Sequence, residues 1–532
     1  MKSFFHTCTL PLAAALLLLS SCANHPPVPS ASKEAKSFPA ISPDYCDVTV
    51  PCNIAPLNFM LPAAEYEECV ARFTTPDGRQ QTYGNGVKVQ IPEEEWHAML
   101  EVAKGKSLKV EVWGRKESGD RRQEEGDRRK ESGDRRQESG DRRQESGDRR
   151  KESGEWIAFK PFEIHVAREP IDGYISYRLI EPSYAGWSFM EIAQRNLTSF
   201  EETQVFNNEI TCNDIRKGQC INCHSYQNYK TDNMLFHVRL SNGGTVIVND
   251  GKVSRVNLKR PYTISAGVYP SWHPKAKLVA FSTNITRQAF HTSHPNKIEV
   301  YDEASDLILY DVETDSVQVV SNDSTLLEVY PTWSPDGKYL YYCKSVPLPE
   351  ELRDKDIRAF YQKVQYNLYR RSFDLATHGF GEEELVYDAA SSDKSATLPR
   401  ISPDGRYLLF VKGQYGCFHI RHYDADIVCM ALDEQSPSEI DLTKMNSDGF
   451  QDSYPSWSSN GHWIMVASRR EDGNYCRVYF SYFNNGKVEK AFMLPLEDPE
   501  QNTFLLKSYN RPEFMVEPVK ISVDEFSKVF DK

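Results

Sequence analysis

Apolar and polar residues alternate with period two through much of this chain. Leu108, Val110 and Val112 alternate with Lys109 and Glu111, and Phe162, Ile164 and Val166 alternate with Glu163 and His165. Both patterns predict half-buried β-strands. Later the chain carries continuous apolar runs at 278–281, 339–342, 407–410 and 463–467, which predict strands covered on both faces. Residues 190–195 and 200–206 read instead as helical, connecting segments.

The apolar runs belong to a repeated unit. Tyr269-Pro270-Ser271-Trp272-His273-Pro274, Tyr330-Pro331-Thr332-Trp333-Ser334-Pro335-Asp336-Gly337, Leu398-Pro399-Arg400-Ile401-Ser402-Pro403-Asp404-Gly405 and Tyr454-Pro455-Ser456-Trp457-Ser458-Ser459-Asn460-Gly461 each lead into one such run. The copies start 61, 68 and 56 residues apart. Each predicts a strand, a tight turn and then an apolar strand; in the last three a Gly supplies the positive φ of the turn, while the first has His273-Pro274-Lys275-Ala276 there. One such unit cannot cover its own faces, whereas a ring of them can. On these residues the stretch 237–515 resembles the TolB-type, WD40-like propeller family. That resemblance implies five or six blades, with precedent for six, closed by strands from 503–522. In such proteins the repeats are a scaffold and do not themselves imply catalysis.

A second periodicity lies between the first two predicted strands. Lys116-Glu117-Ser118-Gly119-Asp120-Arg121-Arg122 recurs every seven residues up to Glu155. No position of this heptad is apolar and every copy contains Gly, so it cannot form a coiled-coil seam. Residues 116–155 hold 13 Lys+Arg and 13 Asp+Glu, so the net charge of −13 resides elsewhere. The stretch is expected as a solvated insertion in the loop of a β-hairpin, where closure entropy makes length cheap.

The N-terminus changes the setting. Met1-Lys2 precedes an apolar run at 10–19 that is too short to span a bilayer as a helix, and it ends in Leu19-Ser20-Ser21-Cys22. This resembles the lipobox of bacterial lipoproteins, which implies export and lipidation at Cys22. Residues 23–28 contain no acidic group, which favours sorting to the outer membrane, facing the periplasm. Attachment would be through the lipid anchor alone. A hydrophobic content of 39% with 12% aromatic residues marks a globular chain, and the acidic balance excludes a nucleic-acid partner. In an oxidising compartment some of Cys46, Cys52, Cys69, Cys212, Cys343, Cys417, Cys429 and Cys476 are expected to pair, with Cys46 and Cys52 nearest in sequence.

Cys220-Ile221-Asn222-Cys223-His224 carries the candidate chemistry. Two thiols two residues apart with an imidazole directly after are the attachment pattern of c-type haem. Each thiol forms a thioether with a haem vinyl group, and the histidine ligates the iron. Met234 and His237 are the candidate distal ligands; on an extended strand Met234 shares a face with Phe236, and His237 with Leu235. His291 and His294 are weaker candidates. A zinc site would want a second pair of ligands, which the sequence does not offer. No Gly-x-Ser-x-Gly elbow and no phosphate-binding glycine loop occur.

The expectation is therefore a mainly β protein: a signal peptide at 1–21, a flexible tether at 22–45, a β-sandwich-like domain at 46–169, a helical connector with the haem motif at 170–236, and a five- or six-bladed propeller at 237–532. Its expected function is that of an envelope lipoprotein with one haem c, serving electron transfer or docking of a redox partner protein, more a carrier or binding protein than an enzyme. A haem peroxidase is a further option if the sixth iron position is open. The alternative is a non-redox scaffold that binds a protein or glycan, with a structural Cys-x-x-Cys.

Overall fold

The computed structural model describes residues 25–116, 154–181, 189–210, 219–240, 242–291, 293–294, 296, 298–352, 360–432 and 438–530. The signal segment, Cys22, most of the charged repeat and Cys212 lie outside the described residues.

Both alternating segments near the N-terminus are strands with one apolar face. Ser107–Lys116 buries Leu108, Val110 and Val112, and Phe162–Val166 buries Phe162, Ile164 and Val166. They pair antiparallel, and Ser107–Lys116 also pairs with Trp156–Ala158, so the charged repeat joins two antiparallel neighbours. Seven strands make one sheet, and a helix at Glu93–Ala103 packs against it through Trp96, Met99, Leu100 and Ala103. The expected sandwich thus differs from what is found: a helix covers this sheet, and the other sheet in this region is a two-stranded ribbon, Phe59–Met60 with Lys88–Val89. Part of the expected tether is held as well, since Lys33–Glu34 pairs in parallel with Ile157 and Ala158.

The rest of the chain is a β-propeller-type arrangement of sheets, mostly four-stranded, with one of five strands and one of eight formed by two four-stranded units. It begins well before residue 237. Tyr174–Ile180, Glu191–Asn196 and Glu202–Asn207 form a sheet that Ser508–Met515 completes from the other end of the chain. The segment expected to be a helical connector is therefore strand. Its helix-forming residues are overruled by pairing on both sides, where Ile192 and Ala193 are buried. Sheets starting at Gln219–Gln227, Gly267–Trp272, Leu327–Trp333, Ser395–Ile401 and Asp452–Trp457 follow, two of them joined by one parallel bridge between Ser305 and Leu327. These starting strands touch in sequence order, and Ser508–Met515 touches both Asp452–Trp457 and Gln219–Gln227. The ring is closed.

The turn chemistry is the same in three repeats. Ser334 Oγ donates to Asp336 Oδ1 at 2.6 Å and accepts from the Tyr339 N–H at 3.0 Å, while Gly337 takes φ +75°. Ser402 with Asp404, and Ser458 with Asn460, repeat this arrangement around Gly405 and Gly461. The N-terminal domain is fastened to this ring: Asn58 donates to the carbonyls of Leu496 and Glu497, and the Ser459 N–H donates to Asp172 at 2.7 Å.

No disulfide is present among the described cysteines. The Cys46 thiol faces the Pro39 carbonyl at 3.8 Å and the Cys52 thiol faces the Arg168 carbonyl at 3.6 Å. The expected pairing fails because the two side chains are directed to different neighbours. Among the described residues no helix is long and apolar enough to cross a membrane.

Candidate functional site

Cys220 to His224 lie on the ring strand Gln219–Gln227, which pairs with Lys230–Leu240 so that Cys220 faces Arg239 and Asn222 faces His237. The pairing slips between Asn222 and Ser225, and Cys223 sits at the slip with φ +56°. An L-residue in this conformation is uncommon and would ordinarily mark local strain. Here it is a property of the scaffold. The other ring strands carry the same bulge at Tyr269, Tyr330, Leu398, Tyr454 and Arg511, with φ between +48° and +56°.

This superposition of bulges reveals two copies of the repeat that sequence reading missed. Cys223-His224-Ser225-Tyr226 and Arg511-Pro512-Glu513-Phe514 occupy the places of Tyr269-Pro270-Ser271-Trp272. Proline follows the bulged residue in every ring strand but one. In that one the position holds His224. A search keyed to the bulge position, rather than to Trp and Asp-Gly, would have found both copies.

Four of the bulged residues, Cys223, Tyr269, Tyr454 and Arg511, line one cavity within the ring. It holds about 1110 Å³ of atom-free space, part of it open to solvent. Cys220, Asn222 and His224 lie on the same wall, so the motif's two thiols and its imidazole open onto one space. Both cysteines are half-buried and not joined, and Cys220 Sγ accepts from Asn222 Nδ2 at 2.8 Å. His224 is fully buried, and among the described residues neither ring nitrogen makes a hydrogen bond of good geometry, although backbone groups of Ser176 and Arg511 lie close enough to interact with the ring. Burial pushes its pKa down to about 3, with the cations Arg511 and Arg178 adding to the effect and nearby backbone of Ser176 and Arg511 opposing it. A neutral, buried imidazole is the form that ligates metals.

The rest of the wall is cationic and apolar. Arg178, Arg239, Arg421 and Arg511 share it with Ile180, Met190, Ile298, Val300, Phe418 and Ile420, and among the described residues no carboxylate lines it. Met234 and His237 are not on this wall. Met234 is buried with Phe236 and Val238 in a separate apolar cluster, and His237 Nδ1 lies 3.3 Å from Thr245 Oγ1 on the neighbouring strand. His291 and His294 pack against each other, 5.4 Å between ring centres, also away from the cavity. Met190 was missed, because it reaches the wall from a different sheet. Among the described residues no three His, Cys, Asp or Glu side chains gather closely enough to hold a metal ion.

No protein-family profile and no curated protein sequence matches the chain. Solved structures match in strand arrangement at low similarity. A Kuenenia stuttgartiensis hydrazine synthase chain has a TM-score of 0.39 at 9% identity, over 65% of this chain and 46% of that one. A nidogen/laminin complex chain has a TM-score of 0.36 at 6% identity, over 64% and 100%. A puromycin-hydrolysing peptidase of Mycobacterium tuberculosis has 0.35 at 9%, over 61% and 52%. At such identity nothing about the site passes from these proteins to this chain.

Proposed function

We propose that this chain is an exported lipoprotein that holds one covalent c-type haem inside a six-bladed, TolB-type propeller and exchanges electrons with a docked partner protein. Cys220 and Cys223 supply the thioether links and His224 the axial nitrogen. Cys22 carries the lipid that tethers the protein to the outer membrane, facing the periplasm. The observation that carries this reading is His224, fully buried and held by no well-formed hydrogen bond beyond the nearby backbone of Ser176 and Arg511, beside two unjoined thiols on one cavity wall. A buried polar group left unsatisfied costs about 1–3 kcal/mol, so a protein that keeps one has a use for it.

The residues present fit the group. The thiols and imidazole share a wall that opens to solvent, with apolar side chains around them and arginines that can meet carboxylates. A bound haem supplies one-electron exchange. The protein's own part is to exclude water with Ile180, Ile298, Val300, Phe418 and Ile420, to keep His224 neutral by burial, and to fix its direction through the Cys223 bulge. Met190 is the methionine on the wall and replaces Met234 as the distal candidate. The test is a visible spectrum of protein exported in cells that attach c-type haem, with Cys220→Ala beside it. A c-type absorbance in the parent that weakens or shifts in the variant supports the reading; none in the parent refutes it.

A second reading has its own observation. Cys223-His224-Ser225-Tyr226 occupies a repeat position, so the strand's shape does not depend on a cofactor. On that reading the propeller is a scaffold for a protein or glycan. A Cys220–Cys223 disulfide in the exported protein would favour it.

A further inference from the structure

We propose that this protein lies against the bilayer instead of swinging on a tether, with the loop 498–507 as a second membrane contact beside the lipid. Phe504 and Leu506 are the side chains that enter the bilayer surface. The proposal rests on the reading of Cys22 as the lipidated residue and is independent of the haem.

His25, the first described residue, is already docked on the N-terminal domain. Its Nδ1 donates to the Thr82 carbonyl at 2.9 Å, its ring centre lies 5.4 Å from that of Tyr83, and its Nε2 is 3.6 Å from Glu95 Oε1. Pro26 packs against Gly84, so closely that a Cβ added there would sit 3.3 Å from Pro26 Cγ. Lys33–Glu34 then joins the sheet, and the Ala35 N–H donates to the Ala158 carbonyl at 2.8 Å. Three peptide steps separate Cys22 from His25. Fully extended they span about 11 Å, against a headgroup layer of about 6 Å on each side of a bilayer. A lipid on Cys22 therefore brings the surface around His25 down to the headgroups, and no length is left for a tether.

A chain of contacts leads from this entry point to the apolar loop. Next to Gly84, the Asn85 N–H donates to the Lys88 carbonyl across a tight turn. Lys88 Nζ meets Asp498 at 2.8 Å and Glu500 at 2.9 Å, and Gln90 donates to the Glu497 carbonyl. The short helix Gln501–Phe504 follows directly. Phe504 is 72% exposed, the highest value among the described large apolar side chains, and Leu506 is 62% exposed. Their backbone is held in place, since Arg477 donates to the carbonyls of Asn502, Leu505 and Lys507 at 2.6–3.1 Å. The loop thus presents two bare apolar side chains to water from a fixed position, where transfer into an apolar phase is favourable. Charge does not supply the attraction. Glu93 and Glu94 are exposed on the helix that also carries Glu95, and Lys88 is taken up by two carboxylates. Lipid and apolar contact together are the two signals that fix a protein on a membrane surface.

The experiment places the exported, full-length protein in vesicles of phosphatidylethanolamine and phosphatidylglycerol, checks its lipid by intact mass, and follows amide hydrogen exchange across 498–507. A form that begins at Ala23, mixed with the same vesicles, is the unanchored reference. The expected result is exchange several-fold slower in the lipidated parent than in the reference, and a return to the reference rate in Phe504→Ser/Leu506→Ser, whose exposed positions leave the fold intact. A Gly-Ser linker of about 20 residues inserted between Asn24 and His25 should remove most of the slowing, because slack dilutes the loop near the bilayer. A linker variant slowed as much as the parent overturns the part played by the short connection. A lipidated parent that exchanges at the reference rate overturns the membrane contact and leaves the lipoprotein reading intact. A parent without lipid overturns both.

Discussion

His224 and His419 are both fully buried, and burial pushes the pKa of each down to about 3. Their surroundings differ. His419 has a partner for each nitrogen, Thr397 Oγ1 at 2.8 Å and the Tyr415 carbonyl at 3.0 Å, so the chain alone completes its environment. His224 has no hydrogen bond of comparable geometry. Each is tied to a ring strand at the same bulge, since Thr397 precedes the bulged Leu398 and His224 follows the bulged Cys223. The contrast separates a histidine that builds the scaffold from one that the scaffold presents. Buried imidazole by itself indicates nothing about function; what decides is whether its nitrogens are spoken for.

That contrast can be broken in several ways. The largest effect belongs to the thiols beside His224: Cys220→Ala with Cys223→Ala should abolish covalent haem altogether while the protein still folds, as read by mass and by circular dichroism. Next comes acid stability. His419 in the folded chain titrates near 3 against an ordinary value near 6.5, so the unfolded chain takes up the proton first as pH falls. Stability contributed by the neutral ring is present above about pH 6.5 and is lost progressively toward pH 3, by up to several kcal/mol. His419→Gln should flatten that limb in urea titrations taken at successive pH values.

Truncation should separate the two histidines further. His419→Ala strands Thr397 and the Tyr415 carbonyl and should cost about 2–4 kcal/mol. His224→Ala in the haem-free double-cysteine variant removes an imidazole without a well-formed hydrogen bond, and should cost less, about 1 kcal/mol. Equal costs for both would mean that His224 is as fully integrated as His419. The smallest effects concern a third buried histidine. His273 Nε2 lies 3.1 Å from the Gly337 carbonyl, and a Cβ at Gly337 would come within 2.5 Å of that nitrogen. Gly405 has the same φ of +75° with nothing within 4 Å of its Cβ position. Gly405→Ala should cost about 1 kcal/mol and Gly337→Ala about 2, a gap measurable by thermal unfolding.

Much of the propeller was legible before any coordinates, because its repeats announce themselves through turn chemistry. Ser-Pro-Asp-Gly is a string of hydrogen-bonding requirements, and the structure meets each of them at Ser334, Asp336 and Gly337. Where a repeat lacks that turn, as after Tyr226 or Phe514, the strand geometry persists but the sequence cue is gone. The propeller's true start was hidden for a related reason. Residues 191–196 are good helix formers, and only pairing with Tyr174–Ile180 and Glu202–Asn207 makes them strand. The helix at Glu93–Ala103 carries its own cue, Trp96, Met99, Leu100 and Ala103 at helical spacing after three glutamates, set between strand-like neighbours.

The site divides along the same line. Cys220, Cys223 and His224 are contiguous in sequence and could be read directly. Arg178, Met190, Tyr454 and Arg511 come from other strands, hundreds of residues away in some cases, and only ring closure brings them to one cavity. Local alternation correctly put Met234 and Phe236 in one apolar cluster, and Leu235 in another, but it had no means of telling which face met the cavity.

The most direct measurement is the intact mass of the exported, unsubstituted protein under denaturing, non-reducing conditions. The account predicts one haem covalently retained per chain, with its attachment mapped to Cys220 and Cys223. A haem-free mass with a disulfide between those two cysteines would contradict it.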